Sequence, residues 1–211
     1  MKITKLGHCC LLVEIKDIRF LTDPGNYTTA QDEVMNLDAV IISHEHTDHL
    51  HVGSLKNIIK NNPQAVIITN GSVGKILDKE NIPYKKVSNG ESLSVRGVEI
   101  SGHGTHHAMI YKTYEQVENT GYFFEKKLFY PGDAFYNPGI PVDILAFPVS
   151  APWSNIAQSV DYILEVKPRI AFPVHDGNII RNGITQRLPK ETCEKNRIHY
   201  VSLELGKETE L

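Results

Sequence analysis

The chain offers almost nothing to a disulfide scaffold: its three cysteines are an adjacent pair, Cys9 and Cys10, and a distant Cys193. Such spacing does not build a framework of crosslinks, and a reducing, cytoplasmic setting is expected. No stretch approaches the roughly 20 apolar residues that cross a bilayer. The opening residues, Met1 to Leu6, alternate polar and apolar side chains, without the apolar run of about 7–15 residues that marks a secretory signal. Positive charge is not in excess either. Lys plus Arg total 22 against 25 Asp plus Glu, a formal net charge of −3, which removes the basic field of a non-specific nucleic-acid binder. No Ser/Gly-rich linker or charge run divides the chain, so residues 1–211 are expected to form one domain. A chain this long buries roughly 70% of its unfolded surface, so a bound metal would serve function rather than folding. The unusual abundance is histidine, with ten residues.

Hydrophobic periodicity predicts strands over 2–6, 10–15, 18–21 and 39–42, a helix after residue 52 that stops at Asn61-Asn62-Pro63, and a strand over 65–69. Ser72 is the expected cap of a short helix reaching about Asn81. Hairpin strands follow at 92–95 and 98–102, split by Arg96-Gly97, then at 119–124 and 128–130. Apolar strands at 142–147 and 170–174 flank a helix over 154–166, and 198–203 is the expected last strand. The fold class expected is mixed α/β (α+β), two sheets with helices outside.

Four histidines fall in Ser43-His44-Glu45-His46-Thr47-Asp48-His49-Leu50-His51, directly after the strand over 39–42. Imidazole and carboxylate are ligands that Zn²⁺ accepts. Three further strand ends run into His103-Gly104-Thr105-His106-His107, Pro131-Gly132-Asp133 and His175-Asp176. Ligands bind outside strand ends in sheet-based folds, so the four ends are candidates to converge on one site.

His44-x-His46-x-Asp48-His49, a later lone His, Gly132-Asp133 and then His175 resemble the five-part signature of the metallo-β-lactamase superfamily. Leu6-Gly7-His8-Cys9-Cys10 with Thr22-Asp23-Pro24 further resembles the branch that includes the ascorbate-6-phosphate lactonases. The resemblance implies an αββα four-layer sandwich of two mixed sheets and a two-metal site at one edge. Carried over, His44, His46 and one histidine of the 103–107 cluster hold the first metal; Asp48, His49 and His175 hold the second; Asp133 bridges them. Of the third cluster, His107 is expected to be the ligand. Adjacent His106 and His107 point in opposite directions in an extended loop, and His107-Ala108-x-Ile110 resembles the third-motif segment of relatives. His103 is the next alternative.

The implied activity is that of a binuclear metal-dependent hydrolase in which a metal-bridged hydroxide attacks a small ester, lactone, amide or phosphodiester, with Asp48 and Asp133 in catalytic roles. Zn²⁺ suits the imidazole-rich set, with Mn²⁺, Fe²⁺ and Ni²⁺ as alternatives. The branch resemblance tilts toward small phosphorylated or carboxylated molecules as partners, and a homo-oligomer is allowed. Thiolesterase and homoserine-lactonase relatives carry a Thr-Pro-Gly-His third motif, absent here. Nuclease relatives carry an inserted domain for which there is no room. Two other classes stay open: a catalytically silent metal-binding or sensing module on the same fold, and an iron-dependent redox enzyme. Around the site, Asp23 either takes the second nitrogen of a ligating histidine or serves as a turn residue. His8 either faces the cleft or is a core residue. Cys9 and Cys10 are expected as buried thiols on opposite faces, His51 as a helix start, His199 as structural, and Trp153 as a packing residue or a pocket wall. Tyr111 and Lys112 are candidates for substrate contact, with Lys112 otherwise a solvated surface residue.

Overall fold

Alternation of apolar and polar residues decides the layers. In β1 (Lys2–Gly7) and β8 (Val98–His103) every second residue is buried, whereas β4 (Ala39–Ile42) and β12 (Ile170–Val174) are buried throughout. The first pair thus meets the core on one face only, and the second pair lies inside the sandwich with cover on both sides. The computed structural model describes residues 1–181 and 183–211.

One seven-stranded sheet has the order β14-β1-β2-β3-β4-β5-β6, with β2 at Cys10–Ile15, β3 at Ile18–Thr22, β5 at Val66–Thr69, β6 at Lys85–Lys86 and β14 at Glu208–Glu210. The other runs β13-β12-β11-β10-β9-β8-β7, with β7 at Ser92–Val95, β9 at Gly121–Phe124, β10 at Leu128–Tyr130, β11 at Ile144–Pro148 and β13 at His199–Tyr200. Both sheets are mixed. Hairpins give antiparallel pairs such as β2–β3 and β7–β8, while β3–β4–β5 and β10–β11–β12 are parallel. The facing sides share one core, in which Phe20 of β3 meets Phe124 of β9 edge to face at 5.6 Å. The outer face of the first sheet packs through Val40, Ile42 and Ile67 on α1 (Val52–Asn61) and α2 (Gly71–Lys79). The second packs through Leu145 and Phe147 on α3 (Ile156–Val166) and α4 (Ile184–Lys195). The result is the expected αββα sandwich. Among the described residues no helix is long and apolar enough to cross a membrane.

Several boundaries differ from expectation for identifiable reasons. Asn70, not Ser72, caps α2, its side chain accepting from the Val73 amide, and Ser72 sits in the first turn with its hydroxyl on Glu45. His51 caps α1 by accepting from the Ser54 amide, and Asn155 forms a capping box with Gln158 at the start of α3. Helix α4 escaped the periodicity because its buried face is narrow, centred on Pro189 and Cys193. The terminal strand expected over 198–203 reduces to two residues, and β14 closes the first sheet by backbone pairing with Lys2, Ile3 and Thr4. Cys9 and Cys10 are buried on opposite faces, in the central and outer cores respectively.

Replacing Phe124 with Ala removes the ring that joins the two sheets. The expected loss is about 3–5 kcal/mol of folding stability with an unchanged denaturant slope, read by chemical unfolding.

Candidate metal centre

Strand ends of both sheets deliver polar side chains to one edge. His8 follows β1, Asp23 follows β3, and Ser43 through His49 follow β4; from the other sheet His107 follows β8, Asp133 follows β10 and His175 follows β12. His8, Asp23 and His175 adopt left-handed backbone angles, φ of 50°, 36° and 58°. Non-glycine residues hold that conformation at a cost of about 1–3 kcal/mol, and such strain collects at functional sites. Gly132, at φ 63°, tolerates no side chain, since a Cβ there would lie 2.3 Å from Asn119 Oδ1. That close approach lets Asn119 accept the Asp133 amide at 3.0 Å while donating to the Pro131 carbonyl at 2.9 Å.

Each buried imidazole is anchored through Nδ1. His49 Nδ1 donates to Asp23 at 2.6 Å, His44 Nδ1 to Ser43 Oγ at 3.0 Å, His107 Nδ1 to the Ala108 carbonyl at 2.5 Å, and His175 Nδ1 to the Ser150 carbonyl at 2.6 Å. Asp23 is itself fixed by the Ser43 amide at 2.7 Å, the Ser43 hydroxyl at 2.6 Å and the Tyr130 hydroxyl. Every Nε2 is thereby turned inward, and those of His49, His107 and His175, like Asp133 Oδ1, are buried without a hydrogen-bond partner. Asp133 Oδ2 lies 3.0 Å from His175 Nε2, 3.3 Å from His107 Nε2 and 3.9 Å from His44 Nε2, and Oδ1 lies 3.2 Å from His49 Nε2. Asp48 Oδ2 is 3.6 Å from His175 Nε2 and 3.8 Å from His49 Nε2, and His44 Nε2 is 3.2 Å from His46 Nδ1. Neighbouring ligands on a tetrahedral ion with bonds of about 2.0–2.1 Å stand about 3.3 Å apart. The inward atoms therefore have the spacing and the donor chemistry that divalent ions require. They sort into His44, His46 and His107 on one side and Asp48, His49 and His175, joined by His8, on the other.

Burial and mutual charge shape the protonation of this cluster. Burial pushes His44 well below the ordinary histidine range, reinforced by His49, and lowers His46 in the same way, reinforced by His107. Burial also opposes charge on His49, but Asp133 and Asp23 outweigh it and hold that ring well above the ordinary range. For His175 burial is outweighed by Asp133 and Asp48, which raise it from 6.5 to about 9. Burial would raise the Asp133 and Asp48 carboxyls; His49 and His175 overcome it for Asp133, and the nearby His175 ring together with the hydrogen bond to His8 for Asp48, so both stay ionised.

Of the third histidine cluster, only His107 reaches this centre. His103 is half-buried, hydrogen-bonded to Ser101 and packed against Phe123 and Phe129, while His106 is exposed beside Thr105. His199 is exposed in β13. Trp153 is more than packing. Its indole N–H donates to Asp133 Oδ2 at 3.0 Å, and its ring stands edge to face against His107 at 5.6 Å. Sequence reasoning missed that bond, and also Asn119 and Gln116, whose amide donates to the His107 carbonyl; none belongs to a motif. The centre opens into a cavity of about 390 Å³ walled by Glu45, Ile110, Tyr114, Pro152 and Trp153. Tyr111 and Lys112 are exposed, with Lys112 over the Tyr111 ring.

A four-layer sandwich with histidines and aspartates gathered at the strand ends is the architecture of the metallo-β-lactamase superfamily. The chain belongs to that superfamily: residues 2–175 match the beta-lactamase superfamily domain. It is 34% identical over 180 residues to the Mycobacterium tuberculosis protein Rv0786c, covering 83% of this chain and 84% of that one. A UPF0173 metal-dependent hydrolase of Carboxydothermus hydrogenoformans is 28% identical over 200 residues, with 83% and 84% covered. The metallo hydrolase Igni18 of Ignicoccus hospitalis superposes with a TM-score of 0.77 at 17% identity, over 100% of this chain and 98% of that one. None of these relatives singles out the ascorbate-6-phosphate-lactonase branch.

If His49 and His175 are ligands, as their inward Nε2 atoms suggest, metal ions would have to displace the protons that neighbouring carboxylates hold on them. Uptake by chelator-stripped protein near pH 7 is therefore expected to release protons and to strengthen as pH rises toward about 9, measured calorimetrically in buffers of different ionisation enthalpy. In the stripped chain His175 has a folded pKa above its unfolded one, so its stabilising contribution is complete below 6.5 and disappears as pH rises through about 9. Uptake without proton release contradicts the assignment.

Proposed function

We propose that residues 1–211 act as one domain carrying a binuclear zinc hydrolase centre. His44, His46 and His107 would hold one ion and Asp48, His49 and His175 the other, with Asp133 placed between the two sets to serve both. The observation that carries this reading is the set of four Nδ1-anchored histidines whose Nε2 atoms converge on Asp133, three of them without any other partner. Bound together, the two ions would polarise a scissile carbonyl or phosphoryl group and make an attacking water acidic enough to react near neutral pH.

The protein groups supply placement. Asp133, restrained by Trp153 and the Asn119-bound backbone, fixes the separation of the two ligand sets. Asp48 lines the cavity as an ionised carboxylate and orients the attacking water as a hydrogen-bond acceptor; its depressed pKa keeps it from storing the proton. Tyr114 and Thr47 bring hydroxyls to the wall for the carbonyl or leaving oxygen, and Ile110, Pro152 and Trp153 exclude water from the remainder of a bound molecule.

The substrate is a small ester, lactone, amide or phosphodiester whose reacting group meets the ions. The lining includes Glu45 and, among the described residues, neither lysine nor arginine. That composition favours a neutral, partly aromatic remainder over the phosphorylated or carboxylated one to which the branch resemblance tilts.

Elemental analysis of the purified protein is expected to find about two zinc ions per chain, and a panel of lactone, ester, phosphodiester and β-lactam substrates to find turnover that a chelator abolishes. Asp133→Ala should lower both occupancies and remove activity, because both ligand sets meet on that carboxylate. Two retained ions with full turnover in Asp133→Ala would show that another group bridges. Stoichiometric iron with visible absorption would replace the hydrolytic reading with a redox one.

A further inference from the structure

By position alone His8 is a candidate ligand, since its ring shares the Asp48, His49 and His175 group. Its hydrogen bonds assign it differently. The Gly177 amide donates to His8 Nδ1 at 3.0 Å, so Nδ1 presents a lone pair and the ring proton sits on Nε2. That Nε2 faces Asp48 Oδ2 at 3.2 Å and donates to it. We infer that His8 is a positioning residue: it does not ligate metal but holds Asp48 Oδ2 toward His49 and His175, with its tautomer fixed by the Gly177 amide.

The surroundings are built for that task. His8 stacks on Tyr27 at 4.4 Å with an interplanar angle of 19°, and the Tyr27 hydroxyl donates to Asn178 at 2.8 Å. A Cβ on residue 177 would fall 2.5 Å from the Tyr27 ring and 2.9 Å from His8 Nδ1, so only glycine brings its amide this close. Strand β1 makes a second connection to the same loop: Lys5 Nζ, buried, lies 2.6 Å from Asp176 and 3.0 Å from the Pro173 carbonyl. The N-terminal strand thus braces two elements of one ligand set, Asp48 directly and the loop that follows His175. No corresponding brace from β1 reaches His44, His46 or His107 among the described residues.

This inference rests on the two-ion reading for which ion is affected, but not for the tautomer. Long-range ¹H–¹⁵N spectra of the full chain, chelator-stripped and zinc-loaded, are expected to show His8 protonated on Nε2 in both states. Loss of that proton on loading would make His8 a ligand and overturn the assignment. In competitive zinc titrations, His8→Ala should weaken one ion about 10–100-fold, the usual effect of removing a group that orients a ligand, while the other changes less than about twofold. His8→Gln, which keeps an N–H donor on a similar reach, should recover most of the loss. Equal weakening of both ions, or of neither, refutes the positioning role. A wild-type chain that takes up fewer than two ions refutes the binuclear reading instead, and the tautomer measurement still decides His8.

Discussion

A carboxylate with almost no exposure, Asp133, stands among the Nε2 atoms of four buried or nearly buried imidazoles. Burying an ionised group without compensation costs several kcal/mol, and burying polar ring nitrogens without hydrogen-bond partners adds to it. The fold meets this cost by orientation. Each of the four rings is tied through Nδ1 to a fixed acceptor, and Asp133 is tied through its amide to Asn119 and through Oδ2 to Trp153. What remains unsatisfied, three Nε2 atoms and Asp133 Oδ1, faces a single region. On the proposed reading, divalent ions would complete that arrangement and tie function and stability to the same atoms.

Two sheets are needed to make it. Asp23, His44 and His49 come from the ends of β3 and β4 in one sheet, and Asp133 and His175 from the ends of β10 and β12 in the other. The shared core, with Phe20 against Phe124, sets the distance between those edges. A metal centre spanning the sheets is therefore sensitive to packing well away from it.

The sequence made the loops of the candidate site legible because side chains able to bind metal were compressed into nine residues after a strand, and because Asp133 and His175 each stood at the end of an apolar run. Alternation in an extended loop let only one of His106 and His107 face the site, the resemblance of His107-Ala108-x-Ile110 to the third motif of relatives selected His107, and the structure puts only His107 among the inward rings. What the sequence did not reveal depends on partners distant in the chain. Asn119 and Trp153 act on Asp133 from 14 and 20 residues away, and Gly177 acts on His8 from 169. Helix α4 was hidden by a buried stripe reduced to little more than Pro189 and Cys193, and β14 by a polar segment whose place is set by backbone pairing alone.

The central claim is geometric: two ions share Asp133. Anomalous diffraction from zinc-loaded crystals tests it most directly. The expected result is two peaks about 3.5–4 Å apart, the spacing of two-metal hydrolytic sites, one against His44, His46 and His107, the other against Asp48, His49 and His175, with Asp133 touching both. A single peak, or a peak bonded to His8 in place of Asp48, would contradict it.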